Sequence, residues 1–124
     1  LHGEVTIEAI PGAAALTAAL SIAGMPTHEF TFLGFLPHKK GRQTLFREIA
    51  DAPRAMVFYE SPHRIEKALQ SLAEALPEER RISILRELTK MHESVVEGTA
   101  LEVKEYFETH PGEVRGEFVV IVAP

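Results

Sequence analysis

The stretch Met-Val-Phe-Tyr-Glu-Ser-Pro-His-Arg, residues 56–64, decides how this chain is expected to fold. An unbroken apolar run over residues 55–59 predicts a buried strand, and Ser61 followed by Pro62 predicts a helix N-cap and a first-turn proline. Open α/β sheets bind their ligands at the carboxyl ends of strands, beside the free amides of helix starts. The junction is therefore the first candidate site, although the same pattern also fits a well-capped corner without chemistry.

The residues before this junction predict two further strand and helix pairs. Strands are expected over residues 4–10 and 30–36, and helices over residues 13–23 and 43–50. The turn Pro11-Gly12, followed by alanines, lets a backbone approach a ligand closely, but small residues equally let a helix lie close to a sheet. No glycine-rich dinucleotide motif or P-loop motif occurs.

The residues after the junction continue the same α/β pattern. A helix is expected over residues 63–76, with an apolar stripe formed by Ile65, Ala68, Leu69, Leu72 and Leu76. Strands are expected over residues 82–85, over 93–97 at a sheet edge and over 117–122 at the sheet centre. Thr99 and Glu102 form a capping box, so a helix begins there and turns Val103, Tyr106 and Phe107 inward. The prediction is one α/β domain, residues 1–124, with a mixed sheet of five or six strands flanked by about four helices.

Composition excludes several classes of protein. The 124 residues include no cysteine, which removes disulfides, thiolate catalysis and cysteine metal sites, and no metal site is predicted. The net charge of −5 gives no overall basic field for nucleic acid, although a local basic patch can act within a Debye length of about 8–10 Å. No apolar run approaches the roughly 20 residues that span a bilayer, and no export signal is seen, so a cytoplasmic protein is expected. The leucine start suggests a fragment of a longer protein.

Two charged segments are candidates for chemistry. Lys39, Lys40 and Arg42 lie on a loop before a predicted helix, where they are available to phosphates, unless the loop is only a solvated turn. Residues 86–93 carry ionisable groups of both signs that could transfer a proton or orient a phosphate, although charged loops are usually just solvated.

Several motifs resemble a known family in order and spacing. They are Ile10-Pro11-Gly12, Ala15-Leu16-Thr17-Ala18-Ala19-Leu20, Gly24-Met25-Pro26-Thr27, Phe32-Leu33-Gly34-Phe35-Leu36-Pro37 with Lys39-Lys40-Gly41-Arg42, Phe58-Tyr59-Glu60-Ser61-Pro62-His63-Arg64, Arg86-Glu87-Leu88-Thr89-Lys90, Gly98-Thr99 and Arg115-Gly116-Glu117-Phe118-Val119. Together they resemble the C-terminal half of the ribosomal RNA small subunit methyltransferase I family, within the tetrapyrrole methylase superfamily. The resemblance covers essentially the whole chain.

The resemblance implies methyl transfer from S-adenosylmethionine to the ribose 2′-hydroxyl of a cytidine in small-subunit ribosomal RNA. The cofactor lies between two α/β domains in this superfamily, so this chain would supply half of the cleft and be inactive without the N-terminal domain of the same protein. The implied cofactor-binding positions are Pro11, Gly12, Ala14, Ala15, Tyr59, Glu60 and Leu88. Ala13-Ala14 stands where the family usually has Pro-Ser, which removes a side-chain hydroxyl from the implied contact.

Within that resemblance, Glu60 or Lys90 is the candidate catalytic residue that orients or deprotonates the ribose hydroxyl. The candidate RNA-binding residues, which would hold phosphates, are Lys39, Lys40, Arg42 and Arg64. A homodimer is expected, because superfamily members often pair through such domains. Two alternatives stay open: methylation of a porphyrin or corrin, and a non-enzymatic module that dimerises or binds RNA.

Overall fold

The computed structural model describes residues 4–8, 30–87, 92–114 and 116–124. The strands are β1 (Glu4–Glu8), β2 (Phe30–Phe35), β3 (Ala55–Glu60), β4 (Arg81–Glu87), β5 (His92–Thr99) and β6 (Glu117–Val122). The helices among these residues are α1 (Arg42–Asp51), α2 (Ile65–Ala75) and α3 (Ala100–Thr109), and a short 3-10 turn (Pro111–Glu113) follows α3. The predicted helix over residues 13–23 lies outside the described residues.

The strands form one mixed sheet in the order β1-β5-β4-β6-β3-β2. Among the described strands, β2 and β3 are the one parallel pair, and the other neighbours are antiparallel. The mixed α/β sheet and the central position of β6 are confirmed. The prediction that residues 93–97 form an edge strand is wrong, because β1 pairs along the outer side of β5, where Glu4 lies opposite Val96.

The core follows from the alternation of side chains along the strands. Even-numbered apolar residues of β3 and β6, such as Phe58 and Val120, pack with all three described helices on one face of the sheet. Odd-numbered residues, such as Val57 and Ile121, form a smaller apolar cluster on the other face. The predicted stripe of α2 is confirmed, since its five members are all buried against the larger cluster.

The sequence predicted N-caps at Thr99 and at Ser61, and the structure agrees with only the first. The capping box is confirmed: the Glu102 amide donates to Thr99 Oγ1 at 3.3 Å, and the Thr99 amide donates to Glu102 Oε1 at 2.8 Å. The predicted start of α2 at residue 63 is wrong by two residues. The backbone oxygen of Ser61, not its hydroxyl, accepts from the amides of Arg64 and Ile65, so a turn precedes the helix.

Arg80 fastens the end of α1 to the end of the sheet. Its guanidinium donates to the carbonyl oxygens of Ala50 at 2.8 Å and Ala52 at 3.4 Å, and to that of Ala123. Burial lowers the pKa of this guanidinium. The fork geometry of arginine suits three convergent carbonyls, and the result is that α1 has a fixed position over the sheet.

Candidate functional site

The candidate site lies where β2 and β3 end. Because these two strands are parallel neighbours, Phe35 at the end of β2 and Tyr59 and Glu60 at the end of β3 lie at the same edge of the sheet. The loop that follows β2 leads directly into the first turn of α1 at Arg42. Strand ends and the start of α1 therefore converge here, whereas the sequence predicted that the helix start beside the end of β3 would be the one capped by Ser61.

A buried ion pair holds this corner together. Arg42 Nη2 lies 3.3 Å from Glu60 Oε2, and the exposed fractions of the two side chains are 11% and 4%. The other carboxylate oxygen, Oε1, accepts from the backbone amide of Ser61 at 3.0 Å. Both oxygens of Glu60 thus already accept a hydrogen bond inside the chain, and little of the side chain is open to another molecule.

Arg42 also fixes the loop in front of its helix. Its Nη1 donates to the backbone oxygen of Pro37 at 3.1 Å, and its guanidinium carbon lies 5.1 Å from the centre of the Phe46 ring. Gly41, the residue before the helix, has a φ of +82°, a left-handed conformation that glycine adopts without strain. Arg42 therefore links the loop, through the backbone oxygen of Pro37, to Glu60 at the end of β3.

The other basic side chains of the loop are open to solvent. Lys39 and Lys40 are exposed, as is His38. Arg64, in the turn before α2, is partly exposed. The four predicted phosphate-binding residues therefore differ: Lys39 and Lys40 are exposed, Arg64 is partly exposed, and the guanidinium of Arg42 is already bound within the chain.

Three aromatic rings lie beside the loop. The Tyr59 ring is 5.1 Å from the Phe32 ring and 5.2 Å from the Phe35 ring, measured between centres. Phe32 is 42% exposed and Phe35 is 58% exposed. Sequence reasoning missed both phenylalanines as site residues. The signal was the Phe-Thr-Phe-Leu-Gly-Phe run at residues 30–35, where an aromatic strand contains a glycine.

The structure places some of the predicted site residues and leaves others outside. The end of β3 carries Tyr59 and Glu60, and the loop before α1 carries Lys39 and Lys40. Arg42 is the first residue of α1, and Arg64 directly precedes α2. Six predicted positions lie outside the part of the chain that is described or have no described side chain: Pro11, Gly12, Ala14, Ala15, Leu88 and Lys90. Within the described residues no metal-binding group of three or more His, Asp or Glu side chains occurs. None of the helices described has both the length and the apolar character to cross a bilayer.

Comparison with known proteins finds many relatives. A protein of Xylella fastidiosa (strain 9a5c) named ribosomal RNA small subunit methyltransferase I is 40% identical over 119 residues, covering 95% of this chain and 44% of the relative. A protein of Mycobacterium tuberculosis (strain CDC 1551 / Oshkosh) with the same name is 41% identical over 124 residues, covering 99% of this chain and 42% of the relative. The chain thus spans a little under half the length of the curated relatives that it matches.

Solved structures share the fold. The crystal structure of the methyltransferase CobJ matches with a TM-score of 0.56 and 26% identity, over 91% of this chain and 48% of that one. The cobalt precorrin-4 methyltransferase CbiF matches with a TM-score of 0.59 over 92% of this chain and 50% of that one, and at 13% identity it supports the fold alone. A family model described as Tetrapyrrole (Corrin/Porphyrin) Methylases matches residues 1–104. The chain belongs to the tetrapyrrole methylase family.

Proposed function

We propose that this chain is the C-terminal part of an enzyme that methylates small-subunit ribosomal RNA, with the ribose 2′-hydroxyl of a cytidine as acceptor and S-adenosylmethionine as donor. The supporting comparison is the shared name of relatives about 40% identical over almost the whole chain. The observation that carries the proposal is the basic loop, which Arg42 anchors to the end of β3 and which leaves Lys39 and Lys40 exposed. An anchored loop with exposed cations is suited to hold a phosphate backbone.

The described part of the cofactor-binding set fits the donor only in part. Tyr59 offers an aromatic surface at the end of β3. The Glu60 carboxylate is buried and engaged by Arg42 and by the Ser61 amide, so little of it is open to the donor. We therefore assign Glu60 a positioning role, in which it holds the loop through Arg42.

The reaction places specific demands on the residues of the chain. A ribose hydroxyl is a poor nucleophile at neutral pH, so its oxygen must be aligned with the methyl group and its proton must be accepted. The donor, when bound, supplies an electrophilic methyl group. Because the Glu60 carboxylate is buried and paired with Arg42, Lys90 is the remaining candidate for accepting the proton, and it would first need a pKa lowered from the usual lysine value.

The proposed partners follow from the length of the chain. The matched relatives are more than twice as long, so we propose that an N-terminal domain of the same protein completes the cleft. A homodimer in the cytoplasm is part of the same proposal.

The test is a methyl transfer assay with the full-length protein and small-subunit RNA. Lys39→Ala/Lys40→Ala should weaken RNA binding and lower the magnitude of the salt slope by about two, because each lysine neutralises one phosphate. The double variant Lys67→Ala/Lys104→Ala is the matched control, because it removes the same charge from helices α2 and α3 and should leave the slope unchanged. Lys90→Ala should lower kcat by about 10²- to 10⁴-fold, the range for a general acid or base.

Two outcomes would contradict the proposal. Methyl transfer to a porphyrin or corrin, but not to RNA, would favour the substrate class that the description of the family model names. Binding of RNA without methyl transfer to any substrate would leave a non-enzymatic module.

A further inference from the structure

We propose that Phe32, Tyr59 and Phe35 form a stacking platform that receives an unpaired base of the RNA, next to the lysines that hold its phosphates. This inference deepens the proposed function and rests on RNA being the substrate. The three residues are called the aromatic platform below.

The platform exists because β2 contains a bulge. Along a regular strand, residues 32 and 35 would lie on opposite faces, since side chains alternate with a period of two. Here Phe32 lies opposite Val57 and Phe35 lies opposite Tyr59, so three steps along β2 match two steps along β3. The extra residue lets both phenylalanines flank the ring of Tyr59.

Gly34 supplies the backbone conformation for this bulge. Its φ is +68°, a region that residues with a Cβ rarely adopt, and a Cβ added there would meet nothing within 4 Å. The glycine is therefore required by the backbone and not by lack of space. Bulges are found beside functional sites, where they redirect a side chain, and this one redirects Phe35.

The platform leaves aromatic surface open to solvent. Among the described residues, the large apolar side chains classed as exposed are Phe32, Phe35 and Leu101, and two of these three meet at Tyr59. Single-stranded nucleic acid is recognised by aromatic side chains on which unpaired bases stack, together with cations along the backbone.

The local charge selects RNA over a protein as the occupant. Residues 30–47 contain four lysines and arginines and no Asp or Glu, although the whole chain has a net charge of −5. Three of these cations, Lys39, Lys40 and Arg47, remain when Arg42 is counted with its partner Glu60. Lys39 follows Phe35 by four residues, so their Cα atoms are at most about 14 Å apart. Stacked nucleotides rise about 3.4 Å each, so the separation corresponds to roughly four nucleotides. A base on the platform therefore brings the phosphates of its neighbours within reach of Lys39 and Lys40. An apolar protein surface has no need of this excess of cations.

Two RNA probes separate stacking from phosphate binding. The full-length protein is titrated with a single-stranded RNA decamer and with an abasic decamer that has the same phosphates and riboses. We expect the unmodified chain to bind the RNA more tightly than the abasic strand. Phe35→Ala and Phe32→Ala/Phe35→Ala should weaken binding of the RNA by about 5- to 150-fold for each base unstacked, and should leave binding of the abasic strand and the salt slope unchanged.

Control variants distinguish stacking from general loss of apolar surface. Leu101→Ala removes an exposed apolar side chain from α3 and should bind both probes as the unmodified chain does. Phe35→Trp keeps an aromatic face and should retain the preference for RNA. Gly34→Ala keeps all three rings but disfavours the positive φ at residue 34. It should reduce the preference for RNA over the abasic strand, because Phe35 is displaced from Tyr59.

Several outcomes would overturn the inference. They are equal binding of the two probes by the unmodified chain, absence of binding to either probe, and losses in Phe35→Ala no larger than those in Leu101→Ala. A change of oligomeric state in Phe32→Ala/Phe35→Ala would show that the platform contacts protein. Loss of S-adenosylmethionine binding by the same full-length variant, with RNA binding intact, would assign the rings to the donor. Failure of the proposed function is a separate result, in which the full-length protein transfers no methyl group while its preference for RNA over the abasic strand persists.

Discussion

Two ion pairs, one at the end of β3 and one on α3, differ in an instructive way. At the end of β3, Arg42 and Glu60 are 3.3 Å apart and almost fully buried. On the surface of α3, Lys104 and Glu108 are only 2.8 Å apart, but their side chains are 20% and 49% exposed. The shorter distance belongs to the pair that water screens. Because water weakens the attraction between exposed charges, burial and connectivity decide what each pair does for the fold.

Connectivity separates the pairs as clearly as burial does. Arg42 and Glu60 are 18 residues apart, and they join the start of α1 to the end of β3. Lys104 and Glu108 are four residues apart and join α3 only to itself. We therefore expect loss of the first pair to change the position of the basic loop, and loss of the second to leave every element in place.

The largest expected effect is the removal of one member of the buried pair. Arg42→Met leaves the Glu60 carboxylate buried beside the single remaining Ser61 amide, and the free energy of unfolding should fall by about 3–5 kcal/mol. Glu60→Leu should have a similar effect, because it leaves a buried guanidinium. The double variant Arg42→Met/Glu60→Leu should recover most of the loss, since two apolar groups replace two charges. Urea denaturation of the unmodified chain and of these three variants gives the four free energies of the double-mutant cycle.

The same variants examine the role of Arg42 in binding RNA. If Arg42 positions the loop, Arg42→Met weakens RNA binding and leaves the salt slope unchanged, because Lys39 and Lys40 still hold the phosphates. A slope reduced by about one would instead mean that Arg42 itself contacts a phosphate. Stability losses below about 1 kcal/mol in both single variants would show that the pair is not truly desolvated.

The contact between Arg42 and Glu60 could not be predicted from the sequence, whereas several local features could. The capping box at Thr99, the stripe of α2 and the central strand β6 were predictable because each is a pattern of near neighbours along the chain. Arg42 was predicted to hold phosphates because a cation at a helix start is available for them. Its contact with Glu60 could not be predicted, since that contact depends on two strands being parallel neighbours.

The position of β5 in the sheet and the contact made by Phe35 could not be predicted either, because both depend on strands that are distant in sequence. The edge position predicted for residues 93–97 failed because the pairing partner, β1, is distant in sequence. The bulge at Gly34 places Phe35 beside Tyr59 only through the register of β2 against β3. A glycine in an aromatic strand indicates a bulge, but the ring that the bulge brings into contact is known only from the fold.

An intermediate effect is expected at the capping box, which is local like the surface pair but satisfies free backbone amides. Thr99→Ala should lower the free energy of unfolding by about 1 kcal/mol, because the amide of Glu102 loses its acceptor. The hydrogen bonds with Thr99 lower the pKa of the Glu102 carboxyl. A carboxyl with a pKa lowered in the folded state stabilises the fold above its unfolded pKa, and this contribution is lost as the pH falls through the folded pKa.

The contribution of the Glu102 carboxylate to the capping box can be measured through the pH dependence of stability. The difference in stability between the unmodified chain and Glu102→Gln should be present near neutral pH and should disappear on acidification, as followed by urea denaturation at a series of pH values. A difference that persists unchanged in acid would mean that the carboxylate charge has no part in the cap.

The smallest effect is expected from the pair with the shorter distance. Lys104→Ala should leave the urea midpoint unchanged within error, because the exposed pair is screened and both side chains lose freedom when they meet. Its orientation adds little, since lysine four residues before glutamate is the less favourable order and places the carboxylate in the last turn of α3. Glu108 raises the pKa of Lys104, so any contribution is present below the unfolded lysine pKa and is lost in alkali. A loss comparable to that of Arg42→Met would mean that distance, and not burial, sets the strength of ion pairs in this fold.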